Sequence, residues 1–538
     1  MNSDNKNLLR LVKALACLLL VVLSLVIFMS SMAKPLVDAE HALCAAGVLL
    51  TQGKMIYRDF ACVAQMPYHP FLCAAIFKVF NTTHYLFAGR MLTVVCDILI
   101  VISIIGIFQR VFASFPVTGL LFGMAMAVLC VFNSHVSHVI HGVIGYALNQ
   151  DFMILCILLS FWLFISTDFK RSSRYLRIGA MSALLTLATC LHFTAVFIQV
   201  LFFVMLLIQR AESGKQMCKT ALPFLIAPVI VLILPVWTMV HAPRAFIINV
   251  FEMPLLRMQM IRKMQSITGG VLYGKCLNIL FCIEPSDIFP FLVAICLVVL
   301  IILGRHKLEI SDLKNALLAI LVPAIFLIIA LCAPEFLYEN FGMLIPFIIV
   351  SFAYPLLYLR RLGTKSPYRL FRVVKIVVIA CTFSAVASNP FSLLRISRIF
   401  RPQSWIPMKV HQISEEVAQK IKEPKLIVTL GPLYALESGC DIYPELSSGW
   451  EGCKIASILS ASKRKITNTL NAETFKEMLG EKPPSGIIID RDPRKELVPP
   501  IGLVLIRIAK TKWPIQGYDE SIWERKEYPF DIVAYFGL

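Results

Sequence analysis

The chain has 538 residues, of which 58% are hydrophobic and only 16% are charged, and its mean hydropathy is +0.77. This composition is typical of a polytopic membrane protein and argues against an ordinary soluble enzyme. The formal net charge of +18 is carried by short basic clusters between apolar runs. Cytoplasmic loops of membrane proteins have this pattern, and the sequence contains no nucleic-acid-binding motif. We therefore expect membrane lipids, and no nucleic acid, as partners.

The first apolar run covers residues 14–32 and follows three basic residues. A signal peptide has an apolar region of about 7–15 residues, whereas a spanning helix needs about 20. We predict an uncleaved first helix that starts in the cytoplasm. Further apolar runs bring the predicted number of spans to eleven; they lie near residues 91–109, 117–133, 151–167, 178–191, 193–209, 221–240, 286–303, 316–332, 342–359 and 373–389.

The charges of the loops support this arrangement. The predicted inner loops collect Lys and Arg near residues 170–177, 210–219, 305–314 and 360–372, whereas the short outer loops at 134–150 and 333–341 contain neither. We therefore predict an all-α membrane bundle at 1–400 with two longer outer segments, 34–90 and 241–285. The tail after residue 389 is expected on the outer side.

The composition from residue 402 to residue 538 changes to that of a small α/β domain. Short apolar runs at 426–430, 486–490 and 503–507 predict buried strands, and residues 410–421 and 472–480 have helical spacing. We expect parallel strands and an extracytoplasmic location. Cys440 and Cys453 lie in this polar region, where an oxidising compartment would allow a disulfide between them.

Acidic residues mark the outer ends of two predicted spans. Asp38 and Glu40 follow the first span, and Asp151 begins the fourth. Ionisable groups at a membrane boundary are candidates for a functional site, although Asp38 and Asp151 also suit helix caps. Because all three are expected at one membrane face, they suit the roles of general base and substrate orienter.

Two further groups of polar residues are open to more than one interpretation. His135, His138 and His141 share a helical face and could hold a metal, but no acidic or thiol partner is interleaved, so we expect none there. The basic residues Arg257, Arg262 and Lys263 suit either an interfacial helix on anionic lipid or a clamp for a lipid-linked phosphate. His192, between two short spans, is a polar break that suits a hydrogen bond to a neighbouring helix or a substrate contact.

The stretch DAE at 38–40, IYRDF at 56–60, PYHP at 67–70 and Arg90 resembles the first outer loop of GT-C membrane glycosyltransferases. The similarity is to the bacterial branch related to protein mannosyltransferases and the lipid A aminoarabinose transferase. YALNQD at 146–151 resembles the second acidic site of that branch, and residues 429–446 resemble the outer domain of some members.

The resemblance implies an enzyme that moves a sugar from a polyprenyl-phosphate donor to a hydroxyl of a lipid, glycan or protein at the outer face of the bacterial inner membrane. It assigns Asp38 as the base, Glu40 as its neighbour and Asp151 as the second acidic position. In some relatives a basic residue before the proline pair holds the donor phosphate, but Gln65 and Met66 stand there in this chain. The candidates for donor phosphate binding are Arg58, Arg257, Arg262 and Lys263. The candidates for substrate binding are Tyr57, Asp59, Tyr68, His69 and His192.

A complete set of metal ligands is not present at the matching positions, so no cofactor is assigned, although a divalent metal is compatible with the family. Two other functions remain open at this point. One is a transporter or flippase for a lipid-linked sugar, whose ionisable residues usually lie near the midplane. The other is a relative that binds lipid without catalysis.

Overall fold

The computed structural model describes residues 3–63, 66–133, 146–168, 173–210, 214–268, 310–332, 342–362, 369–490, 504, 523–529 and 532–537. Helices dominate up to residue 394. They are α1 (Ser3–Ala33), α2 (Asp38–Thr51), α3 (Tyr68–Phe80), α4 (Tyr85–Val111), α5 (Pro116–Phe132), α6 (Gln150–Ser166), α7 (Arg174–Leu191), α8 (Ala195–Arg210), α9 (Gly214–His241), α10 (Pro243–Ile247), α11 (Met253–Thr268), α12 (Ile310–Cys332), α13 (Ile345–Ser351), α14 (Ala353–Leu362), α15 (Arg369–Ser388) and α16 (Pro390–Leu394).

Among the described residues, five helices are long and apolar enough to cross a membrane. They include parts of α1, α4, α9, α12 and α15, and four shorter apolar helices accompany them: α3, α5, α6 and most of α8. These apolar helices agree with a multi-pass membrane protein, but they do not establish eleven spans. The predicted span at 342–359 is interrupted at Phe352, between α13 and α14.

Several predicted features lie outside the described residues. They are the span at 286–303, His135, His138 and His141, the outer loop at 333–341, the later part of the 241–285 segment, and nearly all of the strand at 503–507.

The chain after residue 401 forms further helices and one five-stranded sheet. The helices are α17 (Ile406–Lys420), α18 (Leu433–Leu436), α19 (Gly449–Ala456), α20 (Ala461–Thr467) and α21 (Ala472–Glu481), and the strands are β1 (Leu426–Thr429), β2 (Asp441–Ile442), β3 (Gly486–Ile489), β4 (Trp523–Tyr528) and β5 (Ile532–Gly537).

The sheet has the order β2-β1-β3-β5-β4. Strand β1 pairs in parallel with β2 and β3, whereas β5 is antiparallel to both β3 and β4. The expectation of parallel strands is therefore right for the first three strands and wrong for the last two. Strands β4 and β5 pair antiparallel to each other because the connection between them is too short for a parallel crossover.

The core of this carboxyl-terminal segment is continuous with that of the membrane part. One buried cluster joins Cys44 of α2, Phe77 of α3 and Leu86 of α4 to Val410 of α17 and Ile427 of β1. Ser448 adds a hydrogen bond across the same contact, because its hydroxyl donates to the carbonyl of Ala61 at 2.8 Å. The carboxyl-terminal segment therefore lies against the 34–90 segment, on the same face of the molecule.

The two cysteines of the carboxyl-terminal segment are both free and buried. Cys440 belongs to the cluster shared with the membrane part, whereas Cys453 packs with Trp450 and Phe475 in a separate cluster. The disulfide that the sequence allows is therefore not formed in this structure, since the two thiols point into different cores.

We predict that a reporter fused after Leu538 is active outside the cytoplasm, because the loop charges predict that location for both the 34–90 segment and the tail. A periplasm-only phosphatase fusion should be active and a cytoplasm-only fluorescent fusion dark. A phosphatase fused within residues 52–54 of the first outer segment serves as the matched control. Opposite readings from the two insertion points would contradict the shared face.

Candidate active site

Arg90 organises the start of the candidate site. This residue of α4 is fully buried, and its guanidinium makes a bidentate contact with Glu40 at 2.9 and 2.8 Å. It also donates to the carbonyls of Ser31, Lys34 and Pro35 at 2.8–3.1 Å. All five N–H groups of the guanidinium are therefore used, and the chain between α1 and α2 is fixed onto α4.

Glu40 completes this contact from α2. Its carboxylate is fully buried and accepts, besides Arg90, the backbone N–H of Ala147 at 2.8 Å and that of Val37 at 3.3 Å. A carboxyl group with this many hydrogen-bond partners is held in one orientation. Glu40 therefore fits the positioning of its neighbours, and the geometry does not favour the catalytic role expected from the sequence.

Asp38 is the first residue of α2 and is half-buried. Successive helical residues are rotated by about 100°, so Asp38 and Glu40 point roughly 200° apart. Asp38 and Glu40 therefore lie on different sides of α2, and Asp38 follows the chain segment that Arg90 fixes onto α4. Its place in the first turn of α2 puts this residue at the positive end of the helix dipole.

Small residues allow the 146–151 segment to approach α2 and α4. A Cβ atom added at Gly89 would lie 3.0 Å from the Cβ of Ala147 and 3.1 Å from the Sγ of Cys44. Tyr146 and Leu148 pack beside Leu43 of α2. This close packing brings the backbone N–H of Ala147 to Glu40 and places the start of α6 beside the start of α2.

Asp151 lies in the first turn of α6 and is fully buried. It interacts electrostatically with Lys34, whose ammonium lies 4.5 Å from the ring centroid of Tyr146. Asp97 of α4 is also fully buried and interacts with the same lysine and with Asp151. Among the described residues, neither the Asp97 nor the Asp151 carboxylate has a hydrogen-bond partner. Lys34, Asp97 and Asp151 thus form a buried triad of ionisable side chains.

Sequence reasoning found Asp151 but missed Lys34 and Asp97. The signal was present, because Asp97 is an acidic residue inside an apolar run and Lys34 directly follows one. Ionisable residues in such positions are rare and usually face the interior of a bundle.

The fold was compared with known proteins. No protein-family model and no curated protein sequence matches the chain. Similar solved structures include ArnT from Cupriavidus metallidurans bound to undecaprenyl phosphate, at 11% sequence identity and a TM-score of 0.63, with 97% of this chain and 98% of that chain covered. ArnT in the apo state gives a TM-score of 0.57 at 11% identity, with 99% and 98% covered. The Archaeoglobus fulgidus oligosaccharyltransferase in the apo form gives 0.52 at 9% identity, with 97% and 74% covered.

The protein has a GT-C-like fold. Identity near 10% shows the fold and leaves substrate and acceptor unassigned. The resemblance seen in the sequence motifs is thereby confirmed at the level of architecture, since the alignment with ArnT extends over nearly the whole of both chains.

Two of the predicted residues of the 52–63 loop, Arg58 and Asp59, contact each other. Arg58 is exposed and pairs in a bidentate manner with Asp59, with both contacts at 2.8 Å. Asp59 also accepts the N–H of Met55 at 2.7 Å, and Arg58 lowers the pKa of its carboxyl. Tyr57 is fully buried, with its ring edge-on to Phe246 at 5.3 Å. Tyr57 therefore suits packing, and a substrate contact there is not supported by this geometry.

Tyr68 and His69 begin α3. The Tyr68 hydroxyl donates to the carbonyl of Val231 in α9, and His69 is buried with its Nδ1 3.6 Å from the Sγ of Cys73. The His69 Nε2 has no hydrogen-bond partner among the described residues. Of these two predicted substrate contacts, His69 therefore retains a free polar atom, whereas Tyr68 is used between helices.

His192 follows the last residue of α7, and its Nδ1 lies 2.6 Å from the Oγ1 of Thr194. The adjacent Leu191 carbonyl accepts the side-chain N–H of Asn149 at 2.5 Å. Because Asn149 directly precedes α6, this contact places His192 near the same end of the bundle as Asp151.

One basic residue of α11 contacts the carboxyl-terminal segment. Arg257 pairs with Glu451 of α19 at 3.3 Å, and Arg262 is exposed. Lys263 belongs to the same helix, but its side chain lies outside the described part of the structure. The structure thus gives Arg257 a protein partner, and a phosphate would have to compete with Glu451 for it.

Proposed function

We propose that the protein is an integral membrane glycosyltransferase that uses a polyprenyl-phosphate sugar and transfers the sugar to a hydroxyl of a lipid, glycan or protein acceptor. The proposed location is the bacterial inner membrane, with the reaction at its outer face. The support is a GT-C-like fold aligned over nearly the full length of ArnT, which was solved with undecaprenyl phosphate. The observation that carries the proposal is the half-buried Asp38. It lies between Glu40 and the segment 31–35, and both of these are held by the buried Arg90.

In the proposed reaction, Asp38 accepts the proton of the acceptor hydroxyl as its oxygen bonds to the anomeric carbon. The bond from that carbon to the phosphate oxygen breaks, and polyprenyl phosphate leaves with inversion of configuration. Phosphate is a good leaving group, so the protein chiefly orients the acceptor and stabilises developing charge. Asp151, with Lys34 and Asp97 behind it, is proposed to orient the substrate.

Metal dependence is not required by this scheme. Among the described residues, no group of three His, Cys, Asp or Glu side chains at Asp38 or Asp151 has ligand atoms close enough to hold one ion. The proposal therefore assigns the chemistry to Asp38 and to cations of the chain.

The cations proposed to meet the donor phosphate are Arg58, Arg257, Arg262 and Lys263. Arg58 and Arg257 are each paired with a carboxylate. A bound phosphate would replace that carboxylate as the partner of the arginine. Charge-assisted contacts to phosphate are stronger than neutral ones. The phosphate is thus expected to be held by the α11 residues, with Arg58 as the alternative.

Single alanine variants at Arg257, Arg262 and Lys263 are expected to raise the apparent KM for the donor about 10-fold where the side chain meets phosphate, since one charged hydrogen bond contributes about 1.5 kcal/mol or more. The matched control is Arg361→Ala, which breaks the salt bridge between Arg361 and Asp312. Donor KM values equal to wild type in all three α11 variants would return this helix to an interfacial role.

The general test is sugar transfer by purified protein in liposomes across a panel of polyprenyl-phosphate sugars. Each donor is offered with lipid, glycan and peptide acceptors, and radiolabelled sugar is followed into the acceptor. Transfer from at least one donor is expected. Absence of transfer together with movement of labelled donor across the bilayer would replace this proposal by a flippase.

The flippase is the second candidate because of one observation. Asp97 lies roughly 18 Å along α4 from its first residue, at 1.5 Å per residue, and is buried without a hydrogen-bond partner among described residues. A buried acid at such depth is typical of transport pathways. Asp97→Asn separates the two candidates, because it should stop flipping but only weaken transfer.

A further inference from the structure

A second cluster of chemically active side chains lies away from Asp38, where the carboxyl-terminal segment meets the start of α4. It consists of His84, which directly precedes α4, with His411 of α17 and Glu437, which directly follows α18. One ligand atom of each residue lies within 4.8 Å of the others. We propose that His84, His411 and Glu437 bind one divalent transition-metal ion of the zinc type and that this ion fastens the carboxyl-terminal segment to the membrane helices.

The polar atoms of the cluster converge on one point. The Nδ1 of His411 lies 2.9 Å from the Oε2 of Glu437, and the rings of His84 and His411 are 3.7 Å apart between centroids. The Nδ1 of His84 is buried and has no hydrogen-bond partner among the described residues. A buried ring nitrogen without a partner costs free energy, and a metal ion between the three side chains would satisfy it.

The outer contacts of these side chains match those of metal ligands. The Nε2 of His411 lies 3.3 Å from the Oε1 of Glu415, so its N–H can donate to a carboxylate while Nδ1 faces the ion. Glu437 has its other oxygen, Oε1, fixed by the N–H of Leu86 at 2.6 Å. Metal-ligating histidines usually donate their second N–H to a carboxylate or carbonyl, and ligating carboxylates are themselves hydrogen-bonded.

The chemical types of the three side chains also suit a divalent cation. Two imidazoles and one carboxylate form a ligand set that zinc accepts, with a fourth position left for water.

The position of the cluster defines the role of the ion. His84 belongs to the membrane part, whereas His411 and Glu437 belong to the segment after residue 401, and Glu437 also accepts the N–H of Leu86 in the first turn of α4. Arg90 follows on the same helix, six residues after His84. A bound ion would therefore hold the carboxyl-terminal segment against the end of α4 that carries Arg90. This role is structural and does not depend on the proposed transfer reaction.

The test uses the purified full-length protein after treatment with a chelator and dialysis. Zinc content is measured by mass spectrometry after addition of Zn²⁺, and Mg²⁺ serves as the comparison ion. We expect one equivalent of Zn²⁺ per chain, a raised melting temperature with Zn²⁺ and no such rise with Mg²⁺. The variants His84→Ala and His411→Ala are expected to lose the bound Zn²⁺. The control His241→Ala, which removes an exposed histidine, should keep it.

Glu437→Gln protects the test against loss of folding, because glutamine keeps the size and one oxygen for Leu86. Zinc affinity should fall at least 10-fold in this variant while the metal-free melting temperature stays near that of wild type, since outer and inner ligand changes commonly alter affinity by 10–100-fold. Zinc bound equally by wild type, His84→Ala and Glu437→Gln would overturn the proposal. So would zinc that is lost only when His135, His138 or His141 is replaced.

Discussion

Asp38→Asn is expected to lower the rate of sugar transfer by about 10²–10⁴-fold, because general-base catalysis typically contributes that much. Asparagine keeps the size of the side chain in the first turn of α2, but it cannot accept the proton of the acceptor hydroxyl. Donor binding should be unchanged. The measurement is turnover with saturating donor, together with donor affinity and melting temperature on the same preparation.

Three companion variants separate catalysis from folding. Asp441→Asn replaces an exposed aspartate of β2 and should leave turnover unchanged. Glu40→Gln should act through stability, and Asp151→Asn should fall between Asp38→Asn and wild type in rate. A melting temperature lowered in Asp38→Asn with turnover retained would show that Asp38 only stabilises the first turn of α2, where a negative charge contributes about 0.3–1 kcal/mol.

Arg90→Met is expected to destabilise the protein by about 3–5 kcal/mol, the cost of leaving one member of a buried ion pair unpaired. Both members of the pair are fully buried. The loss would also free the carbonyls of Ser31, Lys34 and Pro35 and the chain that precedes Asp38. The rate of sugar transfer should therefore also fall. We expect this fall even under conditions where the variant remains folded.

The matched control is Arg361→Met, because Arg361 pairs with Asp312 at 2.7 Å in a partly exposed position. Exposed pairs contribute about 0–1 kcal/mol, so this variant should melt near wild type. The double variant Arg90→Met, Glu40→Leu removes the orphaned charge and should recover part of the stability but little of the activity. Equal melting temperatures for Arg90→Met and Arg361→Met would disprove the stabilising role of the buried Arg90–Glu40 pair.

The sequence was sufficient for the parts of the fold that depend on local patterns. The start of a helix at Asp38, the buried strands at 426–429 and 486–489 and the helices around 410–420 and 472–481 all follow from residue spacing. The antiparallel β5 was not predicted, because its pairing with β3 joins residues more than forty positions apart. Strand order at that separation depends on packing, which periodicity does not encode.

The candidate site was predictable as a location and not as a set of roles. Asp38, Glu40 and Asp151 were found because each is an acid at the end of an apolar run. Their different partners follow from helix packing: Arg90 meets Glu40 from fifty residues away, and Ala147 meets it from 107. Asp97 was overlooked although it is an acidic residue inside an apolar run, because the mean hydropathy of that run predicts an ordinary span.

The central claim is tested most directly by one measurement, the appearance of labelled sugar on an acceptor in liposomes that contain purified protein and a polyprenyl-phosphate sugar. With a donor accepted by the wild-type protein, the account predicts transfer by wild type and by Asp441→Asn, and a rate reduced by about 10²-fold or more in Asp38→Asn. Transfer by Asp38→Asn at the wild-type rate would contradict it.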